Sequence, residues 1–175
     1  MEFNEVIRTR RSIRKYSQKG IDDTLLKKVL ECVRIAPSGS NRQPWKFIVV
    51  RNQETKEKLV PACRDQKFIA EAPVVIVACS LAIESNRGNY MKEFSVIVDV
   101  STAVDHLTLA ARNEGLGTCW IGAFDNDTVK GILGIPREAN VVALIPLGYP
   151  ADDDSFKPVD KRKSIDEVVV YEKWA

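Results

Sequence analysis

The order of apolar and polar positions along the chain predicts alternating helices and strands. Residues 2–9 carry apolar side chains at helical spacing and form a first short helix. A second helix begins at Asp22 or Asp23, whose carboxylate caps it. It ends before Pro37, because proline disfavours helix in the residue that precedes it. Its buried stripe consists of Leu25, Leu26, Val29, Leu30 and Val33.

Three continuous apolar runs rich in β-branched residues predict strands that are buried on both faces: 46–50, 73–79 and 141–148. Strands that alternate with helices in this way indicate an α+β domain, with an α/β-type mixed sheet flanked by helices. The chain of 175 residues has the size of one domain, which we assign to 1–175.

The segment 95–115 predicts a helix of a different kind, because apolar side chains cover most of its circumference. A helix that is apolar nearly all round is buried on nearly all sides. We therefore expect it at the centre of the fold or of a dimer interface, with Gly115 and Gly117 ending it. Asp127 is expected to cap a further short helix.

The last part of the chain predicts an arm rather than a compact element. Residues 150–163 are polar, bounded by prolines and too long for a tight turn. Ser164 and Glu167 then have the spacing of a capping box, which opens a last short element. We assign 150–175 to this C-terminal arm.

Composition and charge narrow the classes of protein. A chain with 45% hydrophobic and 29% charged residues is typical of a soluble globular protein, and a net charge of +2 gives little support to nucleic-acid binding. We expect no membrane span, because the best apolar run (73–83) has roughly half of the ~20 residues that a span needs. Four scattered cysteines without a CxxC pair indicate free thiols in the cytoplasm. Together with a single histidine, they argue against a metal site and leave few options for a catalytic triad.

The first candidate for chemistry is the segment RTRRSIRKY at 8–16. Three guanidinium groups and a hydroxyl within about one turn form a natural cradle for an anion, because guanidinium offers paired donors to phosphate oxygens. The alternatives are a solvated basic helix end or a nucleic-acid patch. The residues in question are Arg10, Arg11, Ser12 and Arg14.

The second candidate is the loop APSGSNRQPW, which precedes the strand at 46–50. Loops at the end of a central strand often carry ligands, and Asn and Gln can pair with the mixed donors and acceptors of a heteroaromatic edge. The alternative is a plain turn in which Trp45 anchors the core. The candidate residues are Pro37, Ser38, Gly39, Asn41 and Gln43.

Two further segments are weaker signals. GLGTCWIGAF at 115–124 combines small residues with one Trp, so that backbone N–H groups can approach a flat ligand, but it lacks the spacing of a dinucleotide fingerprint. IPLGYP at 145–150 ends a strand, and the basic triplet at 161–163 either reaches a phosphate or lies in solvent.

Taken in this order, the four segments resemble the nitroreductase family along the whole chain. The most specific parts are RRS-x-R and PS-x-x-N-x-QPW. The resemblance implies a nitroreductase-like FMN-binding fold in an intertwined homodimer with shared sites. It departs from the family's pattern at Ser164, where many short members have proline, and at Gly39, where Ala or Ser is frequent.

The resemblance also assigns flavin contacts to positions of this chain. Arg10, Arg11, Ser12 and Arg14 would hold the phosphate, the ribityl chain and the pyrimidine edge. Arg162 and Lys163 would close around the phosphate, and whether Lys161 also contacts it stays open. Pro37, Ser38, Gly39, Asn41 and Gln43 would come from the partner subunit. Trp120, Ile121 and Gly122 would lie beside the isoalloxazine with a backbone N–H facing N5, and Gly148 would lie near the phosphate end.

The activity that the resemblance implies is hydride transfer from NAD(P)H through FMN to a small electrophilic acceptor, such as a nitroaromatic or a quinone, by a ping-pong mechanism. No catalytic side chain is expected, because the flavin supplies the redox chemistry. The acceptor stays open, since the short chain has no large insertion to cover a substrate. Alternatives are a flavoenzyme dedicated to one metabolite (dehalogenation or flavin breakdown) and a non-catalytic flavin electron carrier, while a nucleic-acid module ranks last.

Overall fold

The centre of the fold is a four-stranded sheet, seen in a computed structural model that describes residues 1–83, 91, 94–152, 154–158 and 161–174. The strands have the spatial order β1-β2-β4-β3 and pair antiparallel with one another. An additional parallel bridge joins Ser12 to Thr118. The strands are β1 (Trp45–Val50), β2 (Val74–Ser80), β3 (Gly117–Thr118) and β4 (Asn140–Gly148).

Helices cover both faces of this sheet, which confirms the α+β prediction. One face packs against the second and fifth helices, and the other packs against the third, fourth and sixth. The helices are α1 (Phe3–Thr9), α2 (Asp23–Arg34), α3 (Gln53–Ala62), α4 (Phe68–Glu71), α5 (Phe94–Asn113), α6 (Asn126–Leu133) and α7 (Ile165–Val168).

The burial of the strands follows their place in the sheet. All seven residues of β2 are buried, as the continuous apolar run predicts, and β4 is buried along most of its length. The same prediction is wrong for β1, where Lys46 and Val49 are exposed and Val50 is the buried residue. β1 lies at the edge of the sheet and pairs with β2 alone among the described strands, so its apolar run has fewer neighbours to bury it.

The predicted central helix is α5, and it is buried along one face only. Its outer face exposes Phe94 (59%), Ile97 (44%) and Val98 (36%). By length and composition α5 could cross a membrane, and half of its most apolar window is buried inside the fold; core helices of soluble proteins pass the same test. Among the described residues, the helix with the length and composition of a membrane span is therefore α5, whereas most of 73–83 forms strand β2. Gly115 ends the helix at φ +75°, whereas Gly117 lies in β3.

The helix caps agree with the sequence predictions except at α6. Asp22 caps α2 by accepting from the Leu25 amide at 2.9 Å. The cap of α6 is Asp125, whose carboxylate accepts from the Thr128 amide at 2.8 Å, so the prediction of Asp127 is wrong by two residues. Asp127 instead lies in the first turn, where its negative charge interacts favourably with the positive end of the helix dipole.

The C-terminal arm is described except at positions 153, 159, 160 and 175. Its last helix, α7, begins with the predicted capping box between Ser164 and Glu167. Every described residue from 161 to 174 is exposed, including large apolar side chains such as Ile165 and Trp174. The described end of the arm, from residue 161 onward, therefore adds no buried side chain to the core.

Candidate functional site

The arginine segment lies directly against β3, so two motifs that are a hundred residues apart in sequence meet at one edge of the sheet. The Ile13 amide donates to the Thr118 carbonyl at 2.8 Å, beside the parallel bridge between Ser12 and Thr118. A Cβ at Gly117 would lie 2.8 Å from the Cβ of Ile13. Glycine at position 117 is what lets the two backbones approach this closely.

A buried tyrosine fixes the end of the arginine segment. The Tyr16 hydroxyl donates to the Ile13 carbonyl at 2.8 Å and also lies 3.1 Å from the Pro146 carbonyl oxygen. Burial raises the pKa of Tyr16 far above its usual value, so this hydroxyl keeps its proton. A Cβ at Gly148 would lie 2.6 Å from Pro73 Cδ and 2.9 Å from the Tyr16 ring, which gives Gly148 a packing role in this layer.

The arginine segment forms one wall of a cleft of about 490 Å³, and the C-terminal arm forms the other. Lys15 and Lys157 in this cleft have carboxylate partners in Asp152 and Asp154. Arg10, Arg14 and Arg162 take part in none of the ion pairs within the described part of the chain. The lining residues are Arg10, Arg11, Ser12, Ile13, Arg14 and Lys15 on one side, and Asp152, Ser155, Lys157 and Arg162 on the other.

The two walls are joined by backbone and side-chain hydrogen bonds. The Arg11 guanidinium donates to the Pro158 carbonyl, so Arg11 holds the arm rather than facing a ligand freely. The Ala151 amide donates to the Lys15 carbonyl at 3.1 Å. Arg162 lines the cleft as predicted, while Lys163 and Lys161 are exposed and do not line it.

Five residues that line the cleft were not predicted from the sequence: Ile13, Lys15 and three arm residues, Asp152, Ser155 and Lys157. Lys15 stands inside the quoted motif RTRRSIRKY, so its basic character was the available signal. The arm residues had none, because the path of an irregular segment is set by tertiary contacts rather than by a periodic pattern.

The segment after β3 presents one open backbone position to solvent near the cleft. Ile121 is buried, and its amide donates to the Leu144 carbonyl at 3.0 Å, so that N–H is not available to a ligand. Gly122 is exposed, and nothing lies within 4 Å of where its Cβ would be. Trp120 beside it is 41% exposed. Of the three predicted contacts, Trp120 and Gly122 can therefore face a ligand.

Cys119 lies in the same layer as the arginine segment. It is 2% exposed, and burial raises the pKa of its thiol, against the opposing effects of Arg14 and Ser12. A buried thiol with a raised pKa is a poor nucleophile at neutral pH, because the thiolate is the reactive form. The structure therefore gives Cys119 no sign of covalent chemistry.

The loop 37–43 is strained and tied to a buried carboxylate. The Gly39 amide donates to both oxygens of Asp99 on α5, at 3.1 and 3.2 Å. Ser40, Asn41 and Gln43 have φ of 52°, 54° and 50°, the left-handed region that L residues seldom adopt. Such strain persists only where the surroundings enforce it, and it is common at functional sites.

Side-chain hydrogen bonds within this loop fix its shape. The Gln43 amide donates to the Ser38 hydroxyl at 2.9 Å, and the Gln43 side chain donates to the Asn41 carbonyl at 3.1 Å. Asn41 and Gln43 are exposed, as is Pro37. The loop thus holds two carboxamides in solvent in a defined arrangement.

Within one chain this loop and the arginine cleft lie at opposite ends of α5. The loop is anchored on Asp99, whereas Thr9, next to Arg10, accepts a hydrogen bond from Arg112 in the last turn of α5 at 2.9 Å. Residues 99 and 112 of this helix are thirteen steps apart, which is about 20 Å at 1.5 Å per residue. None of the residues of the loop lines the cleft. The structure therefore brings the arginine segment together with Arg162 in one cleft and with β3 beside it, but not with this loop.

Comparison with known proteins identifies the family. Residues 7–68 and 64–149 match the model of the nitroreductase family. A relative in Archaeoglobus fulgidus, which carries the provisional name NADH dehydrogenase/NAD(P)H nitroreductase, is 36% identical over 99% of both chains. A crystal structure of a nitroreductase family protein from Clostridium novyi is 37% identical, with a TM-score of 0.80 over 90% of this chain and 89% of that one.

More distant relatives carry more varied names. An FMN reductase [NAD(P)H] of Bacillus subtilis is 29% identical over 97% of this chain and 75% of its own. Iodotyrosine deiodinase 1 of Mus musculus is 26% identical over 97% and 69%, and 5,6-dimethylbenzimidazole synthase of Rhodospirillum rubrum is 27% identical over 87% and 83%. The names of these relatives differ in the substrate or product that they state. This chain is an oxidoreductase enzyme and belongs to the nitroreductase family.

Proposed function

We propose that the chain binds FMN in the cleft between the arginine segment and the C-terminal arm. The observation that carries the proposal is the set of guanidinium groups of Arg10, Arg14 and Arg162, which line one cleft without a carboxylate partner among the described residues. Concentrated positive charge of this kind is costly unless an anion neutralises it, and guanidinium matches the oxygens of a phosphate. The family match and the relative named FMN reductase agree with a flavin phosphate as that anion.

The residues of the cleft have different tasks in this proposal. Arg10, Arg14 and Arg162 bind the phosphate and the polar edge of the flavin, and Ser12 adds a hydroxyl. Arg11 holds the arm through the Pro158 carbonyl. Lys163 extends the positive field from solvent, and Gly148 keeps the layer beneath Tyr16 closely packed.

The segment 120–122 suits a flat ring beside the cleft. The Gly122 backbone N–H has no hydrogen-bond partner among the described residues and can donate to a ring nitrogen, whereas the Ile121 amide is bound to Leu144. The exposed indole of Trp120 supplies apolar surface next to it. When bound, FMN would supply the redox chemistry, accepting hydride from NAD(P)H and reducing a small electrophilic acceptor, such as a nitroaromatic or a quinone, in ping-pong turnover.

A second copy of the chain would complete the site. The loop with Asn41 and Gln43 lies about 20 Å from the arginine cleft along α5, so it would serve the cleft of a partner. The outer face of α5 and the arm also leave Phe94, Tyr171 and Trp174 exposed, at 59%, 83% and 93%. Exposed apolar surface of this extent is typical of an interface. We therefore propose an intertwined homodimer with shared sites.

No side chain needs to act as an acid or a base in this reaction. Cys119 stays a protonated thiol, and His106 lies half-buried on α5 with its Nδ1 3.3 Å from the Cys32 carbonyl oxygen. The replacements His106→Gln and Cys119→Ser should therefore keep most of the activity if the proteins fold. We also propose a cytoplasmic location, since the four cysteines are free thiols.

A second candidate is a flavoenzyme dedicated to one metabolite. The relatives named iodotyrosine deiodinase and 5,6-dimethylbenzimidazole synthase support it, because each name states one dedicated substrate or product. Rapid oxidation of NAD(P)H with many nitroaromatics and quinones would favour the broad reductase. Turnover confined to one halogenated aromatic or to reduced FMN itself would favour the dedicated enzyme. The absence of any turnover would favour a flavin electron carrier.

The visible spectrum of the purified protein tests the core of the proposal. We expect a yellow protein that releases FMN, and not FAD, on denaturation, with one FMN per chain. Steady-state oxidation of NADH and NADPH should then be measured with and without an acceptor. A colourless protein that also fails to bind added FMN would contradict the proposal.

A further inference from the structure

Arg112 is a buried cation that the proposed chemistry does not use. It stands in the last turn of α5, is 8% exposed and does not line the cleft. Its Nε donates to the Thr9 hydroxyl at 2.9 Å, and its guanidinium carbon lies 4.0 Å from the centre of the Phe156 ring. Burial lowers the pKa of Arg112, against the opposing effect of the Glu5 charge, and the salt bridges among the described residues do not include Arg112. A buried charge without a carboxylate in direct contact is expensive to maintain and calls for an explanation.

The two contacts of Arg112 lie directly behind opposite walls of the cleft, each next in sequence to a residue that lines it. Thr9 is the last residue of α1 and directly precedes Arg10. Its hydroxyl donates to the Glu5 carbonyl at 2.6 Å, so accepting from Arg112 joins the end of α1 to the end of α5. Arg112 therefore fixes the point from which the arginine segment departs.

Behind the other wall, Phe156 lies between Ser155 and Lys157, which both line the cleft. Its ring packs against the cluster of Ile13, Tyr16 and Ala72 and is covered by Arg112. A cation–π contact that is shielded from water is worth more than one on an open surface. The Arg11 bond to Pro158 is two residues further along the arm, so Arg112 holds the part of the arm that faces the cleft.

We propose that Arg112 is a positioning residue that sets the width of the phosphate end of the flavin cleft. It joins Thr9, which precedes one wall, to Phe156, which lies behind the other, and does not itself line the cleft. This inference rests on the proposed binding of FMN. Its specific consequence is that Arg112 governs recognition of the phosphate and has little effect on recognition of the isoalloxazine.

The test compares FMN with riboflavin, which has the same ring and no phosphate, on the full-length protein after removal of bound flavin. In Arg112→Met we expect FMN affinity to fall about tenfold, as the loss of one hydrogen bond and one cation–π contact predicts, while riboflavin affinity changes less than about twofold. Arg112→Lys keeps a charge near the ring but loses the Nε donor, so it should restore part of the FMN preference. Phe156→Leu keeps apolar packing, removes the π face and should shift the preference in the same direction as Arg112→Met.

The matched control is Arg51→Met. Arg51 is an arginine outside the cleft. It pairs with Asp23 at 2.7 Å and donates to the Ile21 carbonyl. Its loss should lower stability without changing the ratio of FMN to riboflavin affinity. If Arg112→Met weakens both flavins equally, or if Phe156→Leu leaves the ratio unchanged, Arg112 only stabilises the fold and the proposal is wrong.

A second readout does not depend on flavin. Chymotrypsin cleaves after Phe156, and in Arg112→Met this cleavage should be several-fold faster than in the wild-type protein or in Arg51→Met, with mass spectrometry identifying the site. An unchanged rate would overturn the role in holding the arm. Wild-type protein that binds no FMN would refute the proposed function, while the cleavage comparison would still decide whether Arg112 holds the arm.

Discussion

The arginine segment and the loop 37–43 are both polar, irregular and predicted to bind the same flavin, yet the fold treats them differently. Residues 10–14 lie in the groove between β3 and the C-terminal arm, and one wall of the cleft consists of them. The loop 37–43 faces solvent at the other end of α5, where its Gly39 amide is bound to Asp99 and three of its residues have left-handed conformations. The arginine segment has its cleft within one chain. The loop 37–43 has a fixed geometry but no cleft beside it within the same chain.

The difference shows that a single helix can separate two parts of a binding site within one chain. Helix α5 keeps the two regions about 20 Å apart. Residues that contact the same flavin ring would have to lie closer together than this. A short-lived opening of the chain would not join them, because both are anchored to α5 by hydrogen bonds to Asp99 and Arg112. A second copy joins them without deforming either anchor.

The largest effect is expected from complementation, in which two inactive chains are combined and the recovered activity is measured. Arg14→Ala damages the cleft, and a chain with both Asn41→Ala and Gln43→Ala damages the loop. If the site is shared, half of randomly assorted dimers are mixed and each has one intact site, so about a quarter of wild-type activity should return. Activity is measured after the two chains are refolded together, with each chain alone as the control. Mixed dimers without any activity would mean that both regions serve the same chain.

Arg14→Ala by itself should weaken FMN binding rather than the fold. Loss of one charge-assisted contact costs roughly 1.5–3 kcal/mol, or about one to two decades of affinity. Arg10→Ala should act in the same direction, whereas Arg8→Ala, an exposed residue of α1 outside the cleft, is the matched control. Affinity is measured by titration of flavin-free protein with FMN. Equal affinity in all three variants would make the arginines ordinary surface residues.

Gly117→Ala tests the close packing of the arginine segment on β3. A Cβ at this position would press on the Ile13 side chain, so the free energy of unfolding should fall by about 1–3 kcal/mol. Gly122→Ala is the matched control, since nothing lies within 4 Å of its Cβ position. Urea unfolding of the two variants measures the difference. Equal stability would show that the segment can move away from β3 at little cost.

The smallest expected effect comes from the anchor of the loop. Asp99→Asn keeps an oxygen that can accept from the Gly39 amide but removes the charge, which should cost about 1 kcal/mol. The variant should fold, and its loop should exchange amide hydrogens faster at 39–43 than the wild-type loop. Exchange rates around Arg10–Arg14 serve as the internal control, because that region has its own anchors. Faster exchange at both ends of α5 would mean that the helix as a whole has loosened.

Much of the fold could be predicted from local patterns. The stripe of α2, its Asp22 cap and the capping box at Ser164 depend on neighbours in sequence, and the structure confirms them. Helices α3 and α4 were not predicted, because α3 is a polar segment with a proline near its end and lacks a clear apolar stripe. Its start is fixed by Asn52, which accepts from the Thr55 amide at 2.9 Å, a cap that is easily overlooked without a following stripe.

The sequence by itself determined the family, the residue types of the anion cradle and the central strands, because these depend on motifs and on runs of apolar residues. Tertiary structure alone decided that β1 is an edge strand, that the Ile121 amide is taken by Leu144 and that Arg11 holds the arm. It also decided that the loop 37–43 lies a helix length away from the arginines. Burial and hydrogen-bond partners depend on which distant segments meet, and a linear pattern of residue types does not contain that information.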